Sequence, residues 1–360
     1  TFVASEHPAG MEILRTAKLM DPRIVTVAGG LHATLRPGDF EDPAVDFLYT
    51  TQSAWPFRDL LASLESGLPP SSVGGVMLRH GGRLAPTGAE EPPLDVAGAD
   101  FPPADRSLVE RWKTTYRVSP DAGLATYVFT SIGCPYRCTF CSIWPQAGGR
   151  YTQRDVGAIV REIGGLDEDY EIVRFADANT LVDLGFAERL FDRLEAEGIR
   201  KTWIMDVRAD TAATAPRLIE RLARAGLKVV ITGFESFRES ELAGYGKKLE
   251  AGRIAEAVRV FHENGISVRG NYVVRPGYDD GDFDALAGFA HDNRVALSGY
   301  TVLTPMPGTA LHDGMSGEIV DRDLSKYNFF NCVLRTKLPP DRFHERVGAL
   351  WAIRRGDLSV

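Results

Sequence analysis

The chain has 360 residues, of which 44% are apolar and 25% charged, so it can bury a substantial core as one large domain with a smaller companion. Its net charge of −8 argues against broad electrostatic capture of nucleic acid or of an anionic membrane, both of which need a basic face; small molecules are the expected partners. No apolar run approaches bilayer length and the first residues lack the layout of a signal peptide, which makes the cytoplasm the expected compartment.

The chain opens on Thr-Phe-Val-Ala-Ser with no initiator Met, a stretch that reads like the interior of a strand and suggests a fragment. A helical period over Met11–Met20 is followed by Asp21-Pro22 and an apolar run, Ile24–Ala28, ending at Gly29-Gly30: an αβ unit with a glycine strand exit. Val45–Tyr49 reads as a strand and Trp55–Ser66 as a helix. Val76–Leu84 reads as a hairpin turning through His80-Gly81-Gly82-Arg83. Pro86–Asp105, rich in Pro, Asp and Ala and without a period, reads as a linker.

From Thr126 onward strands and helices alternate. The strand candidates are Thr126–Ser131, Ile172–Phe175, Thr202–Asp206, Lys228–Ile231, Ser267–Val274 and Leu297–Leu303. The helical stretches between them are Arg154–Ile163, Gly185–Glu197, Ala215–Ala225, Glu250–Asn264 and Phe283–Asn293. Such repeats imply a parallel sheet with right-handed crossovers, curved into a full or partial barrel whose chemistry gathers at the C-terminal strand ends.

Four cysteines occur, three of them in one eight-residue window, Cys134-Pro135-Tyr136-Arg137-Cys138-Thr139-Phe140-Cys141, which makes a disulfide framework implausible and a metal role the better reading. Structural zinc usually takes four ligands in two separated pairs. Three thiolates on one loop leave one iron of a cluster without a protein ligand, an open position suited to catalysis. The plainer alternatives are a zinc site completed by a distant His, or three core cysteines.

This C-x3-C-x2-C loop, placed after the first strand of the alternating region, resembles that of the radical SAM superfamily over about the last two thirds of the chain. The resemblance implies a [4Fe-4S] cluster on Cys134, Cys138 and Cys141 whose open iron chelates S-adenosylmethionine (SAM), reductive cleavage to a 5′-deoxyadenosyl radical, and an electron donor such as flavodoxin or ferredoxin. It places Phe140 near the adenine, or else as an ordinary core Phe. At the second strand end, Asp177 and Asn179 would bind the SAM amino group, a helix N-cap being the alternative. On the third strand, Arg208 would grip the SAM carboxylate, against a salt bridge to Asp177 or Asp210. Gly233-Phe234-Glu235-Ser236 resembles the fourth-strand element with Glu235 near SAM, or in an ion pair with Arg208. Arg275-Pro276-Gly277 departs from the family's usual Gly-x-Pro-Gly-Glu. Thr304-Pro305-Met306-Pro307-Gly308 resembles the sixth-strand exit of members with a cobalamin domain, and Thr304 is a candidate SAM-site residue; a Pro-x-Pro-Gly run is also simply a rigid turn.

The first third resembles the later half of a cobalamin-binding domain. Gly29 and Gly30 would let backbone approach the nucleotide tail, and Ser5 stands where that domain has a Ser-x-Leu element, although here it is followed by Glu6-His7. Thr50–Trp55 replaces the acidic stretch usual after the next strand, and the element that can supply a lower axial His would lie before Thr1; His32, after the glycine pair, is not read as a cobalt ligand. The expected fold is therefore α/β: a partial (β/α)6 radical SAM barrel preceded by an incomplete doubly wound cobalamin-binding-like domain. Its expected divisions are 1–85 for the partial cobalamin-binding-like domain, 86–122 for the linker, 123–310 for the barrel and 311–360 for a C-terminal segment covering it.

The leading functional expectation is cobalamin-type methyl transfer to an unactivated carbon of a small metabolite. The runner-up is a radical SAM oxidoreductase, cyclase or epimerase with a vestigial cobalamin domain, and a third is a non-catalytic metal-binding or partner-binding protein. Cys332, flanked by aromatic and apolar residues, reads as a small buried hydrophobe, or under the epimerase reading as the thiol that returns a hydrogen atom to the substrate.

Overall fold

The computed structural model describes residues 3–90, 96–98, 102–117, 122–247, 249–295 and 298–352. The chain forms two compact units: Thr1–Leu94 with Cys138–Gly149 and Val302–Arg335, and Asp95–Arg137 with Arg150–Thr301 and Thr336–Val360.

The first unit begins with α1 (His7–Met20), β1 (Val27–Gly29), α2 (Leu31–Leu35), β2 (Phe47–Tyr49), α3 (Trp55–Ser66), β3 (Val76–His80) and β4 (Arg83–Pro86). Thr1 and Phe2 of the strand-like opening lie outside the described residues, and Ala4–Glu6 makes one 3-10 turn instead of a strand. Pro8 then sits in the first turn of α1, where a missing N–H costs nothing, so the helix starts ahead of its apolar period. β1 lies later than its apolar run because Ile24 spends its N–H on the Asp21 carbonyl in a turn. The sheet order is β1-β2-β3-β4, with β1 and β2 parallel and the β3–β4 hairpin antiparallel. Successive strand residues face opposite ways. Ala28 and Leu48 pack with Met11, Phe40 and Leu84, while Val27, Phe47 and Tyr49 pack with Leu60, Leu64 and Val76. Helices thus cover both faces, α1 on one and α3 on the other, which is the doubly wound arrangement the resemblance implies.

The remaining elements are β5 (Leu124–Val128), β6 (Ser131–Gly133), α4 (Ile143–Gln146), β7 (Tyr151–Gln153), α5 (Val156–Gly164), β8 (Tyr170–Phe175), α6 (Leu184–Ala196), β9 (Thr202–Asp206), α7 (Ala209–Thr214), α8 (Pro216–Arg224), β10 (Leu227–Glu235), α9 (Glu239–Gly244), α10 (Ala251–Glu263), β11 (Ser267–Val274), α11 (Asp280–Asp292), β12 (Gly299–Val302), α12 (Ala310–Met315) and α13 (Pro340–Ala352). The large sheet runs β5-β8-β9-β10-β11-β12 in sequence order, parallel from β5 to β11, with β5 and β12 as its two open edges. It is the partial barrel expected. The first predicted strand, Thr126–Ser131, divides: β5 stops at Val128, and β6 pairs with β7 in a ribbon of its own. The predicted helix Ala215–Ala225 is α8, opened by Pro216 in its first turn, whereas α7 just before it was not predicted. Leu297, the first residue of the last predicted strand, lies outside the described residues.

The large sheet's two faces have different fates. Val173, Phe175, Trp203, Met205, Val230 and Val268 are fully buried on the helix-covered face, where Trp203 stacks on Phe175 at 5.6 Å and meets Phe191 of α6 edge-on at 5.5 Å. The opposite face has an apolar floor made by Ile172, Ile204 and Ile231 with Ala125 and Val229. Burying each such aliphatic side chain is worth about 1.5–3 kcal/mol, which holds the strands' rows in register.

A buried ion cluster fixes the exit of β5. Glu162 of α5 accepts from Arg154 at 2.8 Å and from Arg106 at 3.0 Å. Arg154 also donates to the Phe129 carbonyl at 2.9 Å, and Arg106 to that of Tyr127 at 2.8 Å. Arg106 begins a 3-10 stretch, Arg106–Thr115, and Lys113 at its other end reaches Asp167 and Asp169. Glu162→Gln would leave two guanidinium groups without their carboxylate, and we expect a loss of about 3 kcal/mol. The urea midpoint checks this; an unchanged midpoint would mean that Glu162 adds no net stability.

Candidate active site

Asp177, two residues beyond β8 and 5% exposed, does not cap a helix, the cap of α6 being Asp183. Its Oδ1 accepts the backbone N–H groups of Thr130 at 2.7 Å and Ser131 at 2.9 Å, and its Oδ2 accepts the Thr130 hydroxyl at 2.6 Å. Burial pushes its carboxyl above the ordinary range, against those bonds. This carboxylate ends β5 and turns the chain into β6, whose last residue, Gly133, precedes Cys134. Three of its roughly four lone-pair sites are taken by these bonds.

Asn179, 3% exposed, has neither side-chain amide atom partnered among the described residues. A buried amide left so costs about 1–3 kcal/mol unless a ligand or water completes it. Arg208 grips Asp210 with two nitrogens, Nε at 3.0 Å and Nη2 at 2.7 Å, and lies 3.9 Å over the Tyr136 ring. Its planar fork is thus already engaged by a neighbouring carboxylate, the salt-bridge alternative read from sequence.

Glu235 pairs not with Arg208 but with Lys247, which no motif flagged. The Lys247 Nζ, on a residue 8% exposed, is 2.9 Å from Glu235 Oε1 and donates to the Gly233 carbonyl at 2.5 Å. Glu235 holds a left-handed φ of +63°, unfavourable for a residue with a side chain. A Cβ on Gly233 would fall against Glu235 Oε1 and 3.0 Å from Lys247 Nζ, so the glycine makes room for the pair. A buried network follows: Glu241 accepts from Ser236 at 2.5 Å and from the Tyr278 hydroxyl at 2.8 Å, tying the ends of β10 and β11 together.

Within the first unit, the Cys138 carbonyl accepts from Cys141 N–H at 3.2 Å and from the Trp144 indole at 3.0 Å, a tight turn that includes the half-buried Phe140. The Thr304 hydroxyl is buried and donates to the Val302 carbonyl at 3.0 Å. The Cys332 thiol donates to the Leu334 carbonyl at 3.4 Å, and burial pushes its pKa up. Ser5 is half-buried in its 3-10 turn. A Cβ on Gly29 would meet that of Tyr49 at 3.1 Å, so sheet packing already accounts for this glycine, whereas Gly30, at φ +106°, gives the strand exit a bend that side chains avoid. The buried His32 ring lies 3.1 Å from the Asp39 carboxylate.

Among the described residues no three His, Cys, Asp or Glu side chains converge on one metal-ion position. A cubane does not ask for that, because each thiolate ligates a different iron; the three thiol donors within eight residues, each of intermediate exposure, suit a cluster and not a single ion. The orphaned amide of Asn179 likewise suits a ligand with amino and carboxylate groups. Asp177→Ala should release the β5–β6 turn, each charge-assisted bond lost being worth about 1.5–3 kcal/mol. We expect lower iron retention after anaerobic gel filtration, measured by iron assay; full retention would show that the turn holds without its carboxylate.

Residues 128–290 match the Radical SAM superfamily. The hopanoid C-3 methylase of Methylococcus capsulatus is 24% identical over 347 residues, which is 94% of this chain and 64% of the methylase. The anaerobic magnesium-protoporphyrin IX monomethyl ester cyclase of Cereibacter sphaeroides is 25% identical over 340 residues, covering 91% of this chain and 54% of the cyclase. The chain therefore spans less than two thirds of the length of either relative. Among solved structures, the radical S-adenosylmethionine methyltransferase TsrM of Kitasatospora setae, with cobalamin and a [4Fe-4S] cluster bound, superposes with a TM-score of 0.72 at 16% identity, over 98% of this chain and 77% of that one. The match runs from the last residue of β5 to α11, over most of the open parallel sheet and the three-cysteine loop, so this chain carries a radical SAM domain over residues 128–290.

Proposed function

We infer that the chain is part of a cobalamin-type radical SAM methyltransferase acting on an unactivated carbon of a small molecule. The observation that carries the reading is the three-thiol loop leaving the first barrel strand, its turn held by the Asp177 carboxylate. The hopanoid methylase and TsrM, both methyl-transferring by name, support the transfer of methyl, and the doubly wound first unit, with its bent Gly30 exit, supports cobalamin.

In this reading Cys134, Cys138 and Cys141 hold the cluster. Asn179 gives the SAM amino group an acceptor through its amide oxygen, and Glu235, held by Lys247, offers its remaining lone pairs to SAM hydroxyls. When bound, cluster and SAM supply a carbon-centred radical by one-electron reductive cleavage and cobalamin supplies the methyl group. The apolar floor of Ile172, Ile204 and Ile231 keeps water from beneath the reacting groups. A flavodoxin or ferredoxin as electron donor completes the reading, as does a cytoplasmic setting, whose reducing poise keeps thiols available. No helix among the described residues is long and apolar enough to cross a membrane.

Anaerobic reconstitution should give about four irons per chain and, with dithionite and SAM, 5′-deoxyadenosine. Replacing any of Cys134, Cys138 and Cys141 by Ala should abolish both, and full cleavage activity in any one of these variants would overturn the cluster assignment. With substrate and cobalamin, the product should gain one methyl group by mass; a product that only loses hydrogen would point to the oxidoreductase or cyclase reading. Lys247→Met should weaken SAM binding by about tenfold, the loss expected when a charged hydrogen bond goes. Lys247→Arg should restore part of it. Equal affinity in Lys247→Met and the parent, read by calorimetry, would place Glu235 away from SAM.

A further inference from the structure

β10 ends in an irregular turn that the strand ladder does not hold. Its pairing with β11 runs regularly to Gly233 opposite Asn271 and then slips by one residue, so that Glu235 stands opposite Tyr272. Beyond the slip the Ser236 N–H donates to the Phe234 carbonyl at 2.8 Å. With the φ of +63° at Glu235 this makes a three-residue turn of the left-handed kind, rare because it strains a residue that carries a side chain. Such backbone persists only where its surroundings over-determine it. Here the surroundings are side chains.

Those side chains close a ring. The Ser236 hydroxyl, on a fully buried residue, donates to Glu241 Oε2 at 2.5 Å and accepts the Arg238 N–H at 3.0 Å. Glu241 lies in α9, and at the exit of that short helix the Leu242 carbonyl accepts the Lys247 N–H at 3.1 Å, which brings Lys247 back to β10. Its ammonium then bonds the Gly233 carbonyl and the Glu235 carboxylate. Glu235 thus has its backbone anchored through Ser236 and Glu241 and its side chain through Lys247, with α9 joining the two anchors. From the exit of β11, Tyr278 donates to the same Glu241 oxygen at 2.8 Å; burial, and the carboxylate beside it, push its pKa up and keep it a donor. Arg238 Nη1, 3.4 Å from Oε1, supplies the positive charge that a carboxylate buried this deeply requires. Apolar contacts would hold two strand ends together with less desolvation, whereas a carboxylate that collects three donors also fixes direction.

We propose that Ser236 and Glu241 are positioning residues for SAM: their bond holds the Glu235 turn, and with it the carboxylate, in the orientation that presents its remaining lone pairs to the SAM hydroxyls. Lys247 alone does not fix that orientation, because its four-carbon stem lets the ammonium follow the carboxylate to several positions. Once the Ser236 anchor goes, the left-handed residue relaxes to the broad negative-φ region and the carboxylate swings with it. The proposal rests on the reading that Glu235 meets SAM and adds to it two side chains that act through Glu235 without touching the ligand.

The test uses the full chain with reconstituted cluster, titrated calorimetrically with SAM, iron content being assayed on every sample. Ser236→Ala and Glu241→Ala should each weaken SAM binding about tenfold, the size of one lost charge-assisted bond, with iron content unchanged. Glu241→Gln, which keeps an oxygen for the Ser236 hydroxyl, should restore part of the affinity. Glu235→Ala should weaken binding by a similar factor, and adding Ser236→Ala to it should weaken it by no more than about twofold further, because no carboxylate is left to position. A merely structural role would bring its own loss in that background. Unchanged affinity in Ser236→Ala, loss of iron in that variant, or a further loss of about tenfold on top of Glu235→Ala would each overturn the proposal. Affinity lost in Glu235→Ala but kept in Ser236→Ala sinks the positioning role alone, whereas affinity kept in Glu235→Ala takes Glu235 away from SAM and the proposal with it.

Discussion

Much of the site depends on a single carboxylate. Asp177 reaches from just beyond β8 back to the N–H groups of Thr130 and Ser131 at the exit of β5, 47 and 46 residues earlier in the chain. Without an acceptor there the strand would run on, and the three-cysteine loop would leave the sheet at a different height and angle. Desolvating the carboxylate works against this arrangement, as its raised pKa shows, and three donors at 2.6–2.9 Å offset that cost. From the other side the ion cluster of Arg106, Arg154 and Glu162 holds the carbonyls of the same short segment. The carbonyls of Tyr127 and Phe129 and the N–H groups of Thr130 and Ser131 are thus assigned to distant side chains, which makes the loop's origin rigid.

The parts of the fold legible in the sequence were those written in local pattern. Strands that alternate or run apolar, such as Thr202–Asp206 and Ser267–Val274, stand where their patterns put them, and the helix of Trp55–Ser66 does too. The three-cysteine spacing was legible because ligands of one cluster can lie close in the chain. What local pattern could not carry were partners far apart in sequence. Asp177 read as a SAM ligand or else as a cap, a local device, whereas its partners lie 46 and 47 residues away. Lys247 was silent for the same reason, although the Gly-x-Glu spacing it depends on was noticed; a glycine two residues before a motif carboxylate is the one sign that something must fit between them. Arg208 shows the converse, since its nearest competitor, Asp210, is only two residues on and was weighed from the start.

The large sheet separates two kinds of work by the pleat alone. One face is closed with aromatic stacking around Trp203, and the other sets Arg174 and Asp206 in the same rows as an aliphatic floor. A one-residue slip of any strand would exchange the two, burying Arg174 or Asp206 among helices and lifting Phe175 or Met205 onto the open face. These polar residues therefore inherit their position from the packing of the opposite side. Chemistry and stability are decided by the same register.

The two compact units are not consecutive stretches. The chain passes from one to the other near residues 94, 137, 149, 301 and 335, so neither can be freed by a cut at one peptide bond. For protein engineering this rules out simple modular exchange: the larger unit cannot be transplanted onto another partner domain by fusion at a linker, because the stretch bearing Cys138 and Cys141 is counted with the smaller one. Recombination between relatives would have to conserve both units together. Gene fusions and duplications that respect single boundaries would instead be accepted only outside this whole segment, at its two ends.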